Sequence, residues 1–341
     1  MARIDIAVIG GDGIGPEVTA EAVKALECAA RLGGFGLCCR HLPAGQDALR
    51  THGSALPDST VRACLDSQAV LLGAFTGRSL LTLREQLGGF ASLRPARFYQ
   101  ALAENSPLKE ERAAGADILV VRELLGGLYY GEPRAIDRHA GCAFNTMRYS
   151  REEIRRVAVQ AFELARVRRQ KMVSADKANA LETSQLWRET VDAVSASYPD
   201  VAVQHLYVDA CAMLLVSRPR EFDVILAGNL FGDILSDEAM VLTGSLGMLP
   251  SATIGGKVGL FEPVHGTAPD IAGKEIANPL GAIASAALLL RYAAGRESEA
   301  RAIERAIERA LDDGFRTPDL GGGARMATTQ EMGDAVCKRI G

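Results

Sequence analysis

Apolar runs of strand length alternate with helical segments along this chain. Ile4 to Ile9 is a largely apolar run that ends at a glycine turn, and a helix is predicted from about Val18 to Ala30. Further apolar runs span residues 69–73, 117–121 and 222–227. Short runs of this kind, bounded by turn residues, are typical of strands buried on both faces. The pattern predicts an α/β protein.

Two later helices carry boundary signals. Ser150 and Glu153 form a capping box, and apolar residues recur at helical spacing from Ile154 to Ala165. A covering helix with a charged outer face is predicted from about Glu297 to Leu311, and Gly314 stops it.

The stretch from Gly228 to Asp237 carries two acidic residues in a segment of helical character. Asp233 and Asp237 are four residues apart. On a helix this spacing places both carboxylates on one face, where they repel each other unless a positive group lies between them. The alternative is that both are first-turn acids that interact with the helix dipole.

A third acidic residue favours a functional interpretation of the two aspartates over the helix-dipole alternative. Asp209 follows another apolar run, and α/β proteins bind their ligands at the ends of strands. Three carboxylates suit a hard divalent cation such as Mg²⁺ or Mn²⁺, which prefers oxygen ligands. We therefore expect a metal site.

Three arginines near element ends are candidates for anion binding. Arg84 lies in a helical stretch, Arg94 lies in a Leu-Arg-Pro segment, and Arg122 ends the strand 117–121. The planar guanidinium group pairs bidentately with carboxylates. Taken singly, each arginine is typical of a solvated surface charge, but their company with the acids favours an anion pocket.

Three further features carry possible chemistry. Lys177 follows the short run 172–174 and can act as a general base or acid if neighbouring groups tune it. The turn Gly10–Glu17 precedes a helix and could offer backbone amides to a phosphate, although its glycine spacing is not the dinucleotide fingerprint and a tight turn needs no ligand. The loop around His265 is either structural or able to clasp a nucleotide.

Length, charge and cysteine content limit the kinds of protein that this chain could be. The chain has 341 residues, enough for two domains, and its formal net charge of −4 gives no general attraction for nucleic acid or anionic membranes. Seven cysteines without a Cys-X-X-Cys motif favour a reduced, cytosolic setting. No leader precedes Ile4, and the apolar run Ala282–Leu290 is too short to span a bilayer, so we expect a cytoplasmic protein.

Several motifs occur together in an order that resembles one enzyme family, the β-decarboxylating dehydrogenases that act on isocitrate and isopropylmalate. The resemblance covers Ile4 to about Gly322. It rests on the segments 11–17, 93–95, 121–123, 176–179, 207–209, 228–237 and 265–273.

The resemblance implies an activity and a role for each candidate residue. The expected reaction is NAD-dependent oxidative decarboxylation of a 3-substituted malate, with 3-isopropylmalate of leucine biosynthesis as the leading substrate. Arg84, Arg94 and Arg122 would bind its carboxylates, while Asp209, Asp233 and Asp237 would bind Mg²⁺ or Mn²⁺. Lys177, acting through Asp209 or a water, would take the hydroxyl proton, and Tyr129 would protonate C3 after CO₂ is lost.

The resemblance also implies a two-domain α/β fold with a discontinuous first domain and a cofactor site unlike a Rossmann fold. Residues 1–97 and 247–341 would bind the cofactor, and residues 98–246 would hold substrate, metal and dimer contacts. The active site would lie in the cleft of a homodimer in which Lys177 and Asp209 reach the partner's site. Asp270 would favour NAD by bonding ribose hydroxyls. The expected cofactor-binding set is Ile14, His265, Gly266, Thr267, Ala268, Asp270, Ile271 and Asn278.

One segment departs from the family pattern. Only residues 74–79 connect the strand 69–73 to the next helix, and they include no acid. Leu80 and Leu81 suit a branched apolar substituent, whereas Arg78 is either a loop charge or a partner for a charged substituent. The open alternatives are therefore another malate derivative, such as isocitrate, homoisocitrate or tartrate, and a non-catalytic regulatory homologue.

Overall fold

A computed structural model describes residues 3–75 and 77–341, without the side chain of Arg78. The chain divides into two compact units. The first unit comprises Met1–Gly89, Tyr99–Pro107 and Thr243–Gly341, and the second comprises Phe90–Phe98 and Leu108–Leu242.

The described residues contain strands in both units and two short two-stranded sheets. In chain order the strands are β1 (Arg3–Gly11), β2 (Gly36–His41), β3 (Ala69–Ala74), β4 (Ala91–Arg97), β5 (Asp117–Glu123), β6 (Ala135–Asp137), β7 (Cys142–Phe144), β8 (Lys171–Asp176), β9 (Ala202–Tyr207), β10 (Val224–Ala227), β11 (Pro250–Ile254), β12 (Gly259–Pro263), β13 (Phe315–Arg316) and β14 (Arg325–Met326).

The helices alternate with these strands. In chain order they are α1 (Gly15–Gly33), α2 (Gly45–His52), α3 (Asp58–Leu65), α4 (Arg78–Leu87), α5 (Glu110–Ala113), α6 (Arg151–Arg166), α7 (Glu182–Ser195), α8 (Val208–Ser217), α9 (Asn229–Met240), α10 (Leu280–Tyr292), α11 (Glu297–Asp312) and α12 (Thr329–Cys337).

The first unit is built around strands hydrogen-bonded in the order β2-β1-β3-β12-β11. Every pair is parallel except β12 with β11. Helix α10 is buried along its length from Leu280 to Leu290 and packs against α1, α11 and β12. Because this helix is apolar on all sides, it can be stable only inside such a core.

The second unit has strands in the order β4-β5-β10-β8-β9. Strand β4 is antiparallel to β5, and the others are parallel, so the carboxyl ends of β5, β10, β8 and β9 meet at one edge. The register aligns Ala227 with Arg122 on one side and with Ala175 on the other. The residues that follow these strands therefore lie close together, as ligand sites in parallel sheets do.

The predicted α/β class and the predicted helix signals are confirmed. The capping box of Ser150 and Glu153 is formed at the start of α6, and Asp233 and Asp237 both lie on α9. No helix among the described residues is long and apolar enough to cross a membrane.

The expected domain boundaries differ from the two units of the structure in three places. We assigned residues 91–97 to the first domain, but β4 pairs with β5 from Ala91 opposite Glu123 to Arg97 opposite Asp117, and this ladder groups it with the second unit. Tyr99–Pro107 groups instead with the first unit, which resumes at Thr243 rather than at residue 247. The functions assigned to the two domains stay predictions.

Gly11 offers a test of the turn that follows β1. Its φ is +76°, and a Cβ at this position would lie 2.0 Å from the carbonyl oxygen of Ala74. Gly34 has a similar φ of +63°, but nothing lies within 4 Å of its Cβ position. We expect Gly34→Ala to cost about 1–2 kcal/mol of unfolding free energy, from its backbone conformation alone. Gly11→Ala should cost clearly more, because a main-chain carbonyl cannot move aside as a side chain can. Equal losses in urea unfolding would contradict this account.

Candidate active site

Two arginines and two aspartates form an ion-pair cluster in the second unit. Arg122 Nη1 contacts Asp233 Oδ1, and Arg94 Nη1 lies 3.3 Å from the same oxygen. Arg94 Nη1 also lies 3.2 Å from Asp237 Oδ1. A positive group therefore lies between the two acids of α9, as their spacing predicted.

The buried arginines are held by polar groups that our sequence analysis did not identify. Asn229 Oδ1 accepts hydrogen bonds from Arg122 Nε at 3.0 Å and Nη2 at 2.7 Å. Its Nδ2 donates to the carbonyl oxygens of Leu124 and Gly126. Ser236 Oγ accepts from Arg94 Nη1 at 2.7 Å. These bonds fix the direction of both guanidinium groups.

Backbone shape allows α9 to approach β5 closely. A Cβ on Gly232 would lie 2.8 Å from Cβ of Arg122, so a larger residue would push the helix away. The Gly-Asn turn before α9 was visible in the sequence. The side-chain bonds of Asn229 could not be predicted from the sequence, because their partners are more than 100 residues away.

Tyr129 joins the cluster from a short 3₁₀ turn. Its hydroxyl donates to Asp233 Oδ2 at 2.9 Å, and its ring centroid lies 5.6 Å from Cζ of Arg122. Partial burial, followed by the bond to Asp233, raises the pKa of Tyr129. The hydroxyl is therefore a protonated donor at neutral pH.

The carboxylate of Asp237 is exposed, unlike the arginine that it contacts. Burial of part of the side chain raises the pKa of Asp237, Arg94 opposes this effect, and the neighbouring Asp233 adds to it. An accessible carboxylate beside a second one is chemically suited to a divalent cation.

Lys177 and Asp209 form a separate ion pair. Lys177 Nζ donates to Asp209 Oδ1 at 2.5 Å, and this bond is the main reason why the pKa of Asp209 is lowered. Within one copy of residues 3–75 and 77–341, no three His, Cys, Asp or Glu side chains are arranged as metal ligands. The expected aspartate trio is therefore not assembled within a single described chain.

Arg84 lies in the first unit, on α4. Its Nη2 is 2.6 Å from Oε1 of the buried Glu262, a partner that the sequence did not indicate. Leu80 is partly buried against the apolar core of this unit, and Leu81 is exposed. The side chain of Arg78 and all of Thr76 lie outside the described residues.

Three amides of the glycine turn 10–17 are already paired within the protein and are not free for a phosphate. The amides of Asp12 and Ile14 donate to the carbonyl oxygens of Ala74 and Thr267, and the amide of Gly15 donates to that of Asp12. The bond from Ile14 to Thr267 ties the turn to the loop after β12. Of the two interpretations of this motif, the structure favours a tight turn.

The loop from His265 to Ile271 carries an unpaired acceptor. His265 is buried, its Nδ1 lies 3.0 Å from the carbonyl oxygen of Gly266, and burial lowers its pKa. Nε2 of the neutral ring is then an acceptor, and it has no hydrogen-bond partner among the described residues. Asp270 is exposed, whereas Asn278 Nδ2 already donates to Asp319 at 3.0 Å.

Comparison with known proteins identifies the class. The isocitrate/isopropylmalate dehydrogenase profile matches residues 5–336. The chain is 48% identical to 3-isopropylmalate dehydrogenase of Aquifex aeolicus, with 100% of this chain and 98% of that protein covered. It is 52% identical to the Salinibacter ruber enzyme of the same name, with coverages of 98% and 95%. A crystal structure of isocitrate dehydrogenase from Methylococcus capsulatus matches with a TM-score of 0.87 and 35% identity, covering 100% of this chain and 99% of that one.

These matches place the protein among oxidatively decarboxylating oxidoreductases. The chain belongs to the isocitrate/isopropylmalate dehydrogenase family. The resemblance inferred from the sequence motifs is confirmed at this level, and so is the predicted fold class.

Asn229→Ala tests the support beneath Arg122. The substitution removes two acceptor contacts to a buried guanidinium and two donors to main-chain carbonyls. We expect a loss of about 2–4 kcal/mol in unfolding free energy, because buried polar groups lose their partners. Asn145→Ala is the control, since Asn145 is exposed in the same unit and should change stability by less than about 0.5 kcal/mol. Similar effects in guanidinium chloride unfolding would count against this role of Asn229.

Proposed function

We propose that the protein catalyses the NAD-dependent oxidative decarboxylation of 3-isopropylmalate to 4-methyl-2-oxopentanoate and CO₂, a step of leucine biosynthesis. Full-length relatives that carry the name 3-isopropylmalate dehydrogenase, at about 50% identity, support this function. The observation that carries the chemistry is the cluster of Arg94, Arg122, Asp233 and Asp237 with Tyr129 beside it.

The substrate carboxylates would be bound by arginines. Arg94 and Arg122 are only 9% and 5% exposed, so their charges are little screened by water and pair strongly with a carboxylate. Arg84, held by Glu262 in the first unit, would complete the set. Leu80 and Leu81 on the same helix would provide an apolar surface for the isopropyl group.

A divalent cation, Mg²⁺ or Mn²⁺, would be held by Asp233, Asp237 and Asp209. Carboxylates one helical turn apart, one of them exposed, fit a hard cation with oxygen ligands. When bound, the metal makes the substrate hydroxyl more acidic and polarises the ketone. Asp209 would be contributed by a second copy of the chain.

Proton transfers would be carried by Lys177 and Tyr129. Lys177, acting through the neighbouring Asp209 or a water, would accept the hydroxyl proton as hydride passes from C2 to NAD. The raised pKa of Tyr129 keeps its hydroxyl protonated, which suits a donor of a proton to C3 once CO₂ has left.

NAD would bind against the loop from His265 to Ile271, and Ile14 and Asn278 would also contact it. The unpaired, buried Nε2 of His265 fits a donor such as an exocyclic amino group. The exposed carboxylate of Asp270 would accept from the ribose hydroxyls and repel a 2′-phosphate, which favours NAD over NADP.

The exposed apolar residues of the second unit support a homodimer. Met213 and Val216 of α8 and Ile234 of α9 are exposed, although helix faces of this kind are normally buried. A second copy packed on this surface would bury these side chains and bring its Lys177 and Asp209 toward the neighbouring cluster.

The substrate is tested with a panel of 3-substituted malates. We expect kcat/KM for 3-isopropylmalate to exceed that for isocitrate, homoisocitrate and tartrate by at least about 100-fold, because an apolar surface leaves a charged substituent without a partner. Steady-state NADH formation gives the ratios. Faster turnover of a charged analogue would identify another malate derivative as the substrate. No turnover of any member would favour a non-catalytic homologue.

Metal dependence is tested by chelation. EDTA should abolish NADH formation, and excess Mg²⁺ or Mn²⁺ should restore it, since the paired aspartates would lose the cation that activates the substrate. Unchanged circular dichroism in EDTA serves as the control for folding. Full turnover without a divalent metal would contradict the proposed mechanism.

A further inference from the structure

The turn that carries Lys177 is held by a buried ion pair. Asp176 is 1% exposed, and Arg188 of α7 binds it bidentately, with Nε to Oδ2 and Nη2 to Oδ1 both at 2.9 Å. Asp176 Oδ1 also accepts the backbone amide of Ala178 at 2.9 Å. The carboxylate of Asp176, the residue before Lys177, therefore bonds the backbone of the residue after it. Arg188 fixes the direction of that carboxylate.

Tyr207 links this ion pair to the lysine side chain. Lys177 Nζ lies 5.7 Å from the centroid of the Tyr207 ring, and Arg188 Cζ lies 5.3 Å from the same centroid. Both distances are within the range of cation–π attraction. Tyr207 ends β9, and Asp209 lies two residues later in the first turn of α8, so the ring and the carboxylate are close neighbours in the chain.

The Lys177–Asp209 pair needs such support because it is not buried. The side chains of Lys177 and Asp209 are 28% and 66% exposed. Exposed ion pairs between flexible side chains are weak, because water screens the charges and each side chain loses rotamer freedom. A lysine with four rotatable side-chain bonds would not stay at 2.5 Å from one carboxylate oxygen by attraction alone.

We propose that Arg188 and Tyr207 are positioning residues that hold Lys177 against Asp209. Arg188 fixes the turn through Asp176, and the ring of Tyr207 restricts the path of the lysine side chain. Neither residue needs to touch the substrate. The inference rests on the proposed function for its catalytic consequence, but the restraint itself can be measured without turnover.

His205 closes the remaining side of Asp176. Its Nδ1 lies 3.8 Å from Asp176 Oδ2, and its Nε2 lies 2.8 Å from Asp192 Oδ1. This contact is longer than the two bonds from Arg188, so Arg188 is the main partner of the buried carboxylate.

The first experiment measures the reactivity of the lysine itself. Full-length protein is treated with formaldehyde and cyanoborohydride, and the methylation rate of each lysine is followed by peptide mass spectrometry. Arg188→Met and Tyr207→Leu should raise the rate at Lys177 about threefold, because the amine is freed from its restraint. Tyr207→Phe keeps the ring and should leave the rate unchanged. Lys171, at the other end of β8, is the internal control.

The second experiment asks whether the restraint matters for the reaction. Arg188→Met and Tyr207→Leu should lower kcat about tenfold and change KM for the malate substrate less than about twofold, because the lysine is displaced while Arg94 and Arg122 are untouched. Tyr207→Phe, which keeps the aromatic ring, should have the same kcat as the unsubstituted protein. Arg151→Met is the matched control, since Arg151 of α6 pairs on an exposed surface, at 2.8 Å, with Glu189 of α7, the helix that carries Arg188.

The outcomes separate the restraint from the function. An unchanged methylation rate at Lys177 in both Arg188→Met and Tyr207→Leu overturns the restraint, whatever the kinetics. Tyr207→Leu keeps the test open if Arg188→Met fails to fold, because Tyr207 is exposed. A raised methylation rate with unchanged kcat supports the restraint and contradicts the role of Lys177 under the proposed function. In Lys177→Ala protein, Arg188→Met should lower kcat no further.

Discussion

Charge balance around two buried arginines is the constraint on which the second unit depends. Arg94 and Arg122 lie on neighbouring strands of a sheet that is largely buried, and an uncompensated charge there is strongly unfavourable. Asp233 and Asp237 supply the compensation from one face of α9. The same contacts offset the repulsion between the two aspartates. The pair of arginines and the pair of aspartates therefore stabilise each other.

This balance also explains how the cluster could accept ligands at low cost. In the proposed reaction the substrate's carboxylates replace the aspartates as partners of the arginines, and a cation replaces the arginines as the partner of the aspartates. Each charged group exchanges one partner for another instead of being left alone in a poorly solvated site. Asn229 and Ser236 keep the guanidinium groups oriented during such an exchange, because their bonds to those groups do not depend on the aspartate carboxylates.

Lys177 and Asp209 are held in a different way from the arginines and aspartates of the cluster. Their ion pair is partly exposed, and its geometry depends on a neighbouring buried pair, Asp176 with Arg188. The guanidinium groups of Arg94 and Arg122 are buried and held by fixed polar partners, whereas the lysine is directed by the turn on which it sits. Under the proposed function Lys177 takes up a proton, and its partial exposure suits that role because full burial opposes a charged amine.

The sequence by itself determined the α/β class, the family, and most of the helices and strands near the site. These follow from local patterns: apolar runs, the capping box at Ser150, and the four-residue spacing of Asp233 and Asp237. Only the tertiary structure decided which charges become partners. Sheet register and helix packing pair Arg122 with Asn229, Arg84 with Glu262, and β4 with β5. They bring together residues that are far apart in the chain. Local periodicity carries no information about such pairs.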